Sequence, residues 1–339
     1  MQSLNKLPDG SVTSPRAFSA GAASAGLKPD DSPDIAVLLS DTPCSGAGVF
    51  TGSRVRAAPV LYDEALLAER PGRLRGIVMN SHIANACTGT AGLEDAASMA
   101  EQAEAALDLP ARSVLVLSTG AIGVPLPMDR IAAGVQEAAG NIHPEGGPDV
   151  ARAIMTTDRT AKHLAIEVQT KAGTVTLGGV AKGSGMVHPN MATVLGIITT
   201  DAAVEAAQLG VLLRTVADRT FNAITVDGGT SPNDSVILLA NGASEIPIAR
   251  DAQGWKLFEE AVEVIARDLA LMIVKDGGGA GRFVELTISG AATEAMARSI
   301  GRSIGSSVLV KTALGGGDHG WAASWPRRGA PASPSTPTA

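Results

Sequence analysis

Short apolar runs cut off by Gly, Pro or Asp recur through the first third of this chain: "DIAVLLSD", "GVFTGSRV", "LRGIVMNS" and "SVLVLSTG". Runs of this length and composition predict strands, and their repetition commits the chain to a sheet-based core. Helical patterns lie between them. In "LEDAASMAEQAEAALDLP", residues Leu93, Ala96, Ala100, Ala103 and Leu107 share one helical face, and Pro110 ends the run. "PMDRIAAGVQEAAG" and "PDVARAIMTTD" also predict helices, each opened by a proline. "HLAIEVQTKAGTVTLGGVAKG" predicts a hairpin turning near Ala172 and Gly173. "AAVEAAQLGVLLRTVADRTF" and "WKLFEEAVEVIARDLALMIVKD" predict two further helices; the second places Phe258, Val262, Ile265, Leu269 and Met272 on one face. "RFVELTISGA" and "SSVLVKTAL" are expected to close the ordered part as strands. Strands and helices interleave without a regular βαβ rhythm, so the expected class is α+β layers rather than a doubly wound sheet.

Composition narrows this further. Aromatic residues are only 3% of 339, so the core must be built from Ala, Val, Leu and Ile. A length of 339 residues calls for one large or two smaller domains. The net charge of −7 argues against nucleic acid, whose phosphates need a basic face. Two cysteines, Cys44 and Cys87, form neither a metal motif nor a disulfide framework, and the five histidines are scattered, so no metal is expected. No apolar run reaches about 18 residues, so no membrane span is expected. The N-terminal stretch has no apolar core of the signal-peptide kind, and the expected location is the cytoplasm.

"AKGSGMVHPNMATVLGIITTD" passes from a glycine-rich loop to an apolar run at Thr193. Threonine has good β propensity, and here it can simply start a strand. It can also be a nucleophile. A threonine hydroxyl needs an adjacent base, and its own α-amino group serves when the chain is cut just before it. In "VLSTGAIGVPLPMD", a Ser-Thr-Gly turn after a strand can expose N–H groups and a hydroxyl to a developing oxyanion, or be an ordinary turn. Lys182 can anchor a carboxylate or sit at the surface. "GGVAKGSG" lacks the spacing of a phosphate loop, and His188 has no Ser or Cys partner motif. "NSHIANACTG" and "ITVDGGTSPNDS" can each line a pocket or form capped loops.

Taken together, "TGAIGVPLPMDRI", "AIMTTD", "AKGSGMVHPNMATVL", "FNAITVDGGTSPNDS" and "LVKTAL" resemble, in that order, the ornithine acetyltransferases, the glutamate N-acetyltransferases of arginine biosynthesis. The resemblance covers about residues 10 to 321. It implies a layered αββα-type sandwich with a smaller second lobe. It also implies self-cleavage between Ala192 and Thr193 into an α chain (1–192) and a β chain (193–321 plus the tail), assembled as α2β2. Thr193 would be the nucleophile, carrying acetyl from N-acetylornithine to glutamate through an acetyl-enzyme. Thr119 and Gly120 would form the oxyanion pair, and Thr156 and Lys182 would contact substrate. No cofactor is implied, and acetyl-CoA as a second acetyl donor is left open. A self-processing amide hydrolase of the same fold, or a truncated inactive product, is the alternative.

Three segments depart from the family pattern. "DGGGAG" places Gly278 where a substrate-contacting glutamate is expected. "NSHIAN" places His82 and Ile83 where the family has Gly-Asn. "DHGWAASWPRRGAP" replaces the family's C-terminal continuation, which supplies an asparagine and a hydroxyl residue to the site. Deleting one G from an assumed GC-rich codon series turns a family-like Trp-Gly-Arg-Val-Val-Ala-Ala-Ala-Gly into the sequence of 321–329. Residues 322–339 are therefore expected to be an aberrant, disordered tail.

Overall fold

The computed structural model describes residues 3–187, 194–248 and 253–317. Within them the strands are β1 (Ser3–Leu7), β2 (Phe18–Ala23), β3 (Ile35–Phe50), β4 (Leu74–Asn80), β5 (Val114–Ser118), β6 (Lys162–Gln169), β7 (Thr174–Lys182), β8 (Leu195–Thr200) and β9 (Ser235–Ala240). They hydrogen-bond in the order β1-β6-β7-β8-β9-β3-β4-β5, with β2 also on β3. The β4–β5 and β8–β9 pairs are parallel and the rest antiparallel. The 16-residue β3 serves both halves of this order. Its first part pairs with β2 and β4, its last part, from Ser45 to Phe50, with β9, and the register to β4 slips between Leu39 and Cys44.

Side-chain alternation shows that the two halves stack face to face. Ile77, Met79, Leu115 and Leu117 of β4 and β5 share one core with Val180, Leu195, Ile197, Ile237 and Leu239 of β7, β8 and β9. The opposite faces have their own cores. Val236 and Leu238 of β9 pack with α5 (Ala206–Arg219) and α6 (Gln253–Lys275). Val78, Val114 and Val116 pack with α2 (Gly89–Ala106) and α3 (Met128–Gly140). The result is the layered α-β-β-α sandwich of the expectation. Small residues make the layers tight: Ala96, Ala100 and Ala103 of α2 are fully buried, so the helix lies close to its neighbours.

The two predicted long helices and the hairpin are present. In α6, Phe258, Val262, Ile265 and Leu269 are fully buried, as the periodicity required, and Met272 is partly buried at the same core. Leu93 instead stays 40% exposed, near the start of α2 and at the edge of the face that buries Ala96, Ala100 and Ala103. Helix α4 (Gly147–Ala153) takes its proline in the first turn, whereas α3 has Pro127 one position earlier, at its N-cap. Helix α1 (Ala58–Glu69) and strands β1 and β2 were not read from the sequence.

The last segment differs most. "SSVLVKTAL" is not a strand but helix α8 (Val308–Gly316), because the Ser307 hydroxyl caps it by accepting from Val310 N. Helix α7 (Glu294–Gly305) is capped in the same way by Thr293. "RFVELTISGA" is irregular: among the described residues no strand lies beside it, and strand backbone without a partner is not stable. These elements make the smaller lobe, which borders an open groove of about 1010 Å³ against the ends of α5 and α6. The tail beyond residue 317 lies outside the described residues.

Replacing Ile77, fully buried between the sheets, with Ala is predicted to cost about 2–5 kcal/mol in urea unfolding. Leu61→Ala, at a position 41% exposed, should change stability by no more than about 0.5 kcal/mol.

Candidate active site

Two strand ends from different sheets meet at one place. β5 ends at Ser118 and runs into Thr119 and Gly120; β7 ends at Lys182. Lys182 is 4% exposed, and its Nζ donates to Thr119 Oγ1 at 3.2 Å. The turn after β5 is held against "NSHIAN": Thr119 N donates to Asn80 O at 3.1 Å, and Ala121 N to His82 O at 2.9 Å. Thr119 N–H is thus occupied. The groups the turn offers are the Thr119 hydroxyl and the Gly120 N–H, which donates to none of the described residues. Gly120 has φ +136, and a Cβ there would lie 2.0 Å from the His82 carbonyl carbon, so only glycine fits. His82 itself has φ +77, a conformation that favours glycine. Its side chain is exposed, and Ile83 is buried.

Asp158 joins Thr156 to Gly183, the residue after Lys182. Asp158 Oδ2 accepts from Thr156 N at 3.1 Å, and its Oδ1 accepts from Gly183 N at 2.7 Å. Thr119, Gly120, Thr156 and Lys182 therefore belong to one connected region. Ala192 and Thr193 lie outside the described residues. The residue after them is fixed: Val194 N donates to Asp234 Oδ1 at 2.8 Å, and Val194 O accepts from Ser235 N at 2.9 Å. Next to Asp234, Asn233 Nδ2 donates to Ala84 O at 2.6 Å and Ser118 O at 2.9 Å, tying the two loops together.

The charges here are buried. Desolvation pushes Lys182 below the ordinary lysine range, against the pull of Asp158 and Asp234. Burial alone would raise Asp158, but the charges of Lys182 and Lys162 and the hydrogen bonds from Lys162 and Gly183 outweigh it and hold the carboxyl below its ordinary value. Asp234 goes the other way. Burial pushes it well above the usual carboxylate range, and its Oδ2 has no hydrogen-bond partner among the described residues. Asp158, Asn233 and Asp234 were not singled out from the sequence. The only signal was their place in "MTTD" and "ITVDGGTSPNDS", where an Asp or Asn more often caps a turn. Gly278 lies at the edge of this region, donating its N–H to Ser184 O at 2.9 Å. The groove of the smaller lobe reaches Gly278 but is not lined by Thr119, Thr156 or Lys182. Among the described residues no group of His, Cys, Asp and Glu could hold a metal ion, and no helix is long and apolar enough to cross a membrane.

The layered sandwich thus brings a buried lysine and a hydroxyl turn together at the seam between its sheets, and the comparisons with known proteins place a chain of this kind among the acyltransferases of arginine biosynthesis. The chain belongs to the ArgJ family, whose model matches residues 19–325. It is 47% identical to the arginine biosynthesis bifunctional protein ArgJ of Symbiobacterium thermophilum over 315 residues, 92% of this chain and 78% of the relative. The solved ArgJ of Bacillus halodurans is 40% identical, with a TM-score of 0.53, covering 56% of this chain and 98% of its own. The ornithine acetyltransferase of Mycobacterium tuberculosis, solved with ornithine, is 37% identical, with a TM-score of 0.51, covering 57% of this chain and 100% of its own.

Asn233→Ala leaves two buried carbonyls unpaired and is predicted to cost at least about 1–3 kcal/mol in urea unfolding. Asp234→Asn keeps an acceptor for Val194 N. Because burial raises the Asp234 pKa, its protonated form stabilises the fold below about pH 4 and that advantage is lost as pH rises. The wild type should therefore lose stability relative to Asp234→Asn as pH rises above about 4, read from urea midpoints.

Proposed function

We propose that this chain transfers acetyl from N-acetylornithine to glutamate through an acetyl ester on Thr193. The observation that carries the reading is family membership over residues 19–325 together with a buried Lys182 on the Thr119 hydroxyl. The ArgJ family makes it an acyltransferase of arginine biosynthesis.

The chemistry begins with the chain itself. Thr193 Oγ attacks the Ala192 carbonyl carbon, the peptide C–N bond breaks as its nitrogen takes the hydroxyl proton, and an ester forms. That shift frees the α-amino group of Thr193, and water then hydrolyses the ester to the Ala192 carboxylate and the free Thr193 hydroxyl. That amine is the base for transfer. It takes the Oγ proton as Oγ attacks the acetyl carbonyl of the donor, and it returns the proton to the departing ornithine amine. The amine of glutamate then attacks the ester and carries the acetyl group away. The Thr119 hydroxyl and Gly120 N–H stabilise the oxyanion in each step. Lys182 binds the α-carboxylate that both amino-acid substrates carry, and Thr156 contacts substrate beside it. Asp234, holding Val194 N, keeps the first peptide of the β chain in place.

One comparison supports the cleavage. The two solved relatives are matched almost end to end by 56–57% of this chain, about 190 of its 339 residues. That is the length of the segment before Thr193, as expected for a separate chain cut at this point. The products are α and β chains in an α2β2 assembly in the cytoplasm, with no bound cofactor or metal. Transfer needs no acetyl-CoA; its use as a second donor would let the enzyme acetylate glutamate directly.

Gly278 weakens transfer more than self-cleavage, because it removes a charged contact to substrate and leaves the Thr193 chemistry alone. A Cβ at Gly278 meets nothing within 4 Å, so Gly278→Glu fits. One regained charge-assisted contact, worth about 1.5–3 kcal/mol, should lower the KM for N-acetylornithine at least about tenfold.

The direct test is transfer of labelled acetyl from N-acetylornithine to glutamate, with the acetyl-enzyme trapped in the absence of glutamate and mapped by mass. Label on Thr193, absent in Thr193→Ala, is the expected result. Label released only as acetate would favour the hydrolase instead, and no labelled enzyme would refute the acetyl-Thr193 route.

A further inference from the structure

A second lysine lies behind Lys182, and it is more deeply buried. Lys162 opens β6 with its side chain 1% exposed. Its three N–H donors meet three acceptors: Asp158 Oδ1 at 2.7 Å, Asp276 Oδ2 at 2.6 Å and Thr160 O at 3.1 Å. Both aspartate side chains are buried as well, at 0% and 4%. Asp276 is held further by Arg159, through its backbone N at 2.9 Å and its Nε at 3.2 Å. A buried ion pair tolerates burial only when its remaining lone pairs are satisfied, and these are.

The network joins three segments around the candidate site. Asp158 reaches Thr156 N on one side and Gly183 N, next to Lys182, on the other. Asp276 leads into Gly277 and Gly278. Gly278 N returns to Ser184 O, and Ser184 Oγ meets Thr157 Oγ1 at 2.7 Å. The decisive detail is what Asp158 does not do. Its oxygens are taken by Lys162, Gly183 N and Thr156 N, and it makes no hydrogen bond to Lys182. Lys182 Nζ has one acceptor among the described residues, Thr119 Oγ1, so no other described residue takes its two remaining donors.

We propose that Lys162 is a positioning residue: by occupying Asp158 and locking it to Asp276, it stops Asp158 from capturing Lys182 and leaves Lys182 free for a substrate carboxylate. The proposal rests on the role given to Lys182 under Proposed function. Without Lys162, the cation that acts most strongly on the buried Asp158 carboxylate is Lys182. Lys182 then swings from Thr119 to Asp158, and the carboxylate site is lost while the fold remains.

The charges facing Lys182 are Asp158, Asp234, Lys162 and Lys28. Asp158 favours its protonated form and Lys162 opposes it. Carboxylate binding should fail as pH rises through the Lys182 pKa. Lys162→Met should therefore move that alkaline limit up, and Asp158→Asn should move it down. A merely structural loss would shift both in one direction or neither.

The test is calorimetric binding of N-acetylornithine across pH, with a crystal structure of each variant. Lys162→Met should bind at least about tenfold more weakly than the wild type, the loss of one charged hydrogen bond. In its crystal structure, Lys182 Nζ should lie within hydrogen-bond distance of Asp158 rather than Thr119. Adding Asp158→Asn should recover part of the affinity. If Lys162→Met does not fold, Lys162→Met with Asp276→Asn removes one charge of each sign and leaves the same Asp158 to capture Lys182. Unchanged binding with Lys182 still on Thr119 overturns the proposal. If the wild type itself binds no N-acetylornithine, the functional reading fails, and the position of Lys182 in the variant structure still decides this one.

Discussion

One strand has to belong to two sheets. β3 pairs with β2 and β4 over its first part and with β9 over its last, and everything at the candidate site depends on that transfer. A strand that changes sheets leaves backbone groups without ladder partners where it bends, and buried groups of this kind must be satisfied another way. Here Arg75 donates to Ser40 O and Asp41 O, the Ser40 hydroxyl donates to Thr42 O, and the Thr42 hydroxyl donates to Asn241 O. Asn241 Nδ2 donates back to Ser40 Oγ and to Arg16 O. Side chains thus replace the missing ladder. Because the sheets then stack, the end of β5 in one and the end of β7 in the other come together. The Lys182–Thr119 hydrogen bond is a contact between sheets, not within one.

The fold was legible where burial is periodic. In α6 the apolar face spaced at 3.6 residues is the face that packs on the sheet. The "LRGIVMNS" and "SVLVLSTG" runs are strands because both of their faces are buried, one toward each layer. Legibility fails where context decides. "SSVLVKTAL" has the composition of a strand, yet a serine cap and the absence of a neighbouring strand make it a helix. "RFVELTISGA" has the same composition and stays irregular for want of a partner. β2, "FSAGAA", has too few large side chains to read as a strand; it forms because β3 supplies its hydrogen bonds and its small residues let α3 and α4 approach.

At the site, short motifs carried more than periodicity did. The hydroxyl of Thr119, the glycine at 120 and the lysine at 182 were each open to a plain structural reading, and only their co-occurrence with the other segments pointed to chemistry. The structure adds why the glycine is needed, since the chain packs on the His82 carbonyl. It also supplies the buried acids that no pattern announced. Asp158, Asp234 and Asp276 lie in turn-rich segments where aspartate is common, and their partners are distant in sequence. Burial and pairing distinguish them, and neither can be read from spacing.

Acetyl transfer through Thr193, as proposed, requires Thr193 to become a chain terminus. Asp234 holds Val194 N, and Lys182 lies on the Thr119 turn, but in the proposed route Thr193 acquires its base only once the bond before it is cut. Intact mass of the purified protein under denaturing conditions, beside Thr193→Ala, tests this most directly. Two fragments that split between Ala192 and Thr193 in the wild type, and one full-length species in the variant, are predicted. A single full-length species in both would contradict the account.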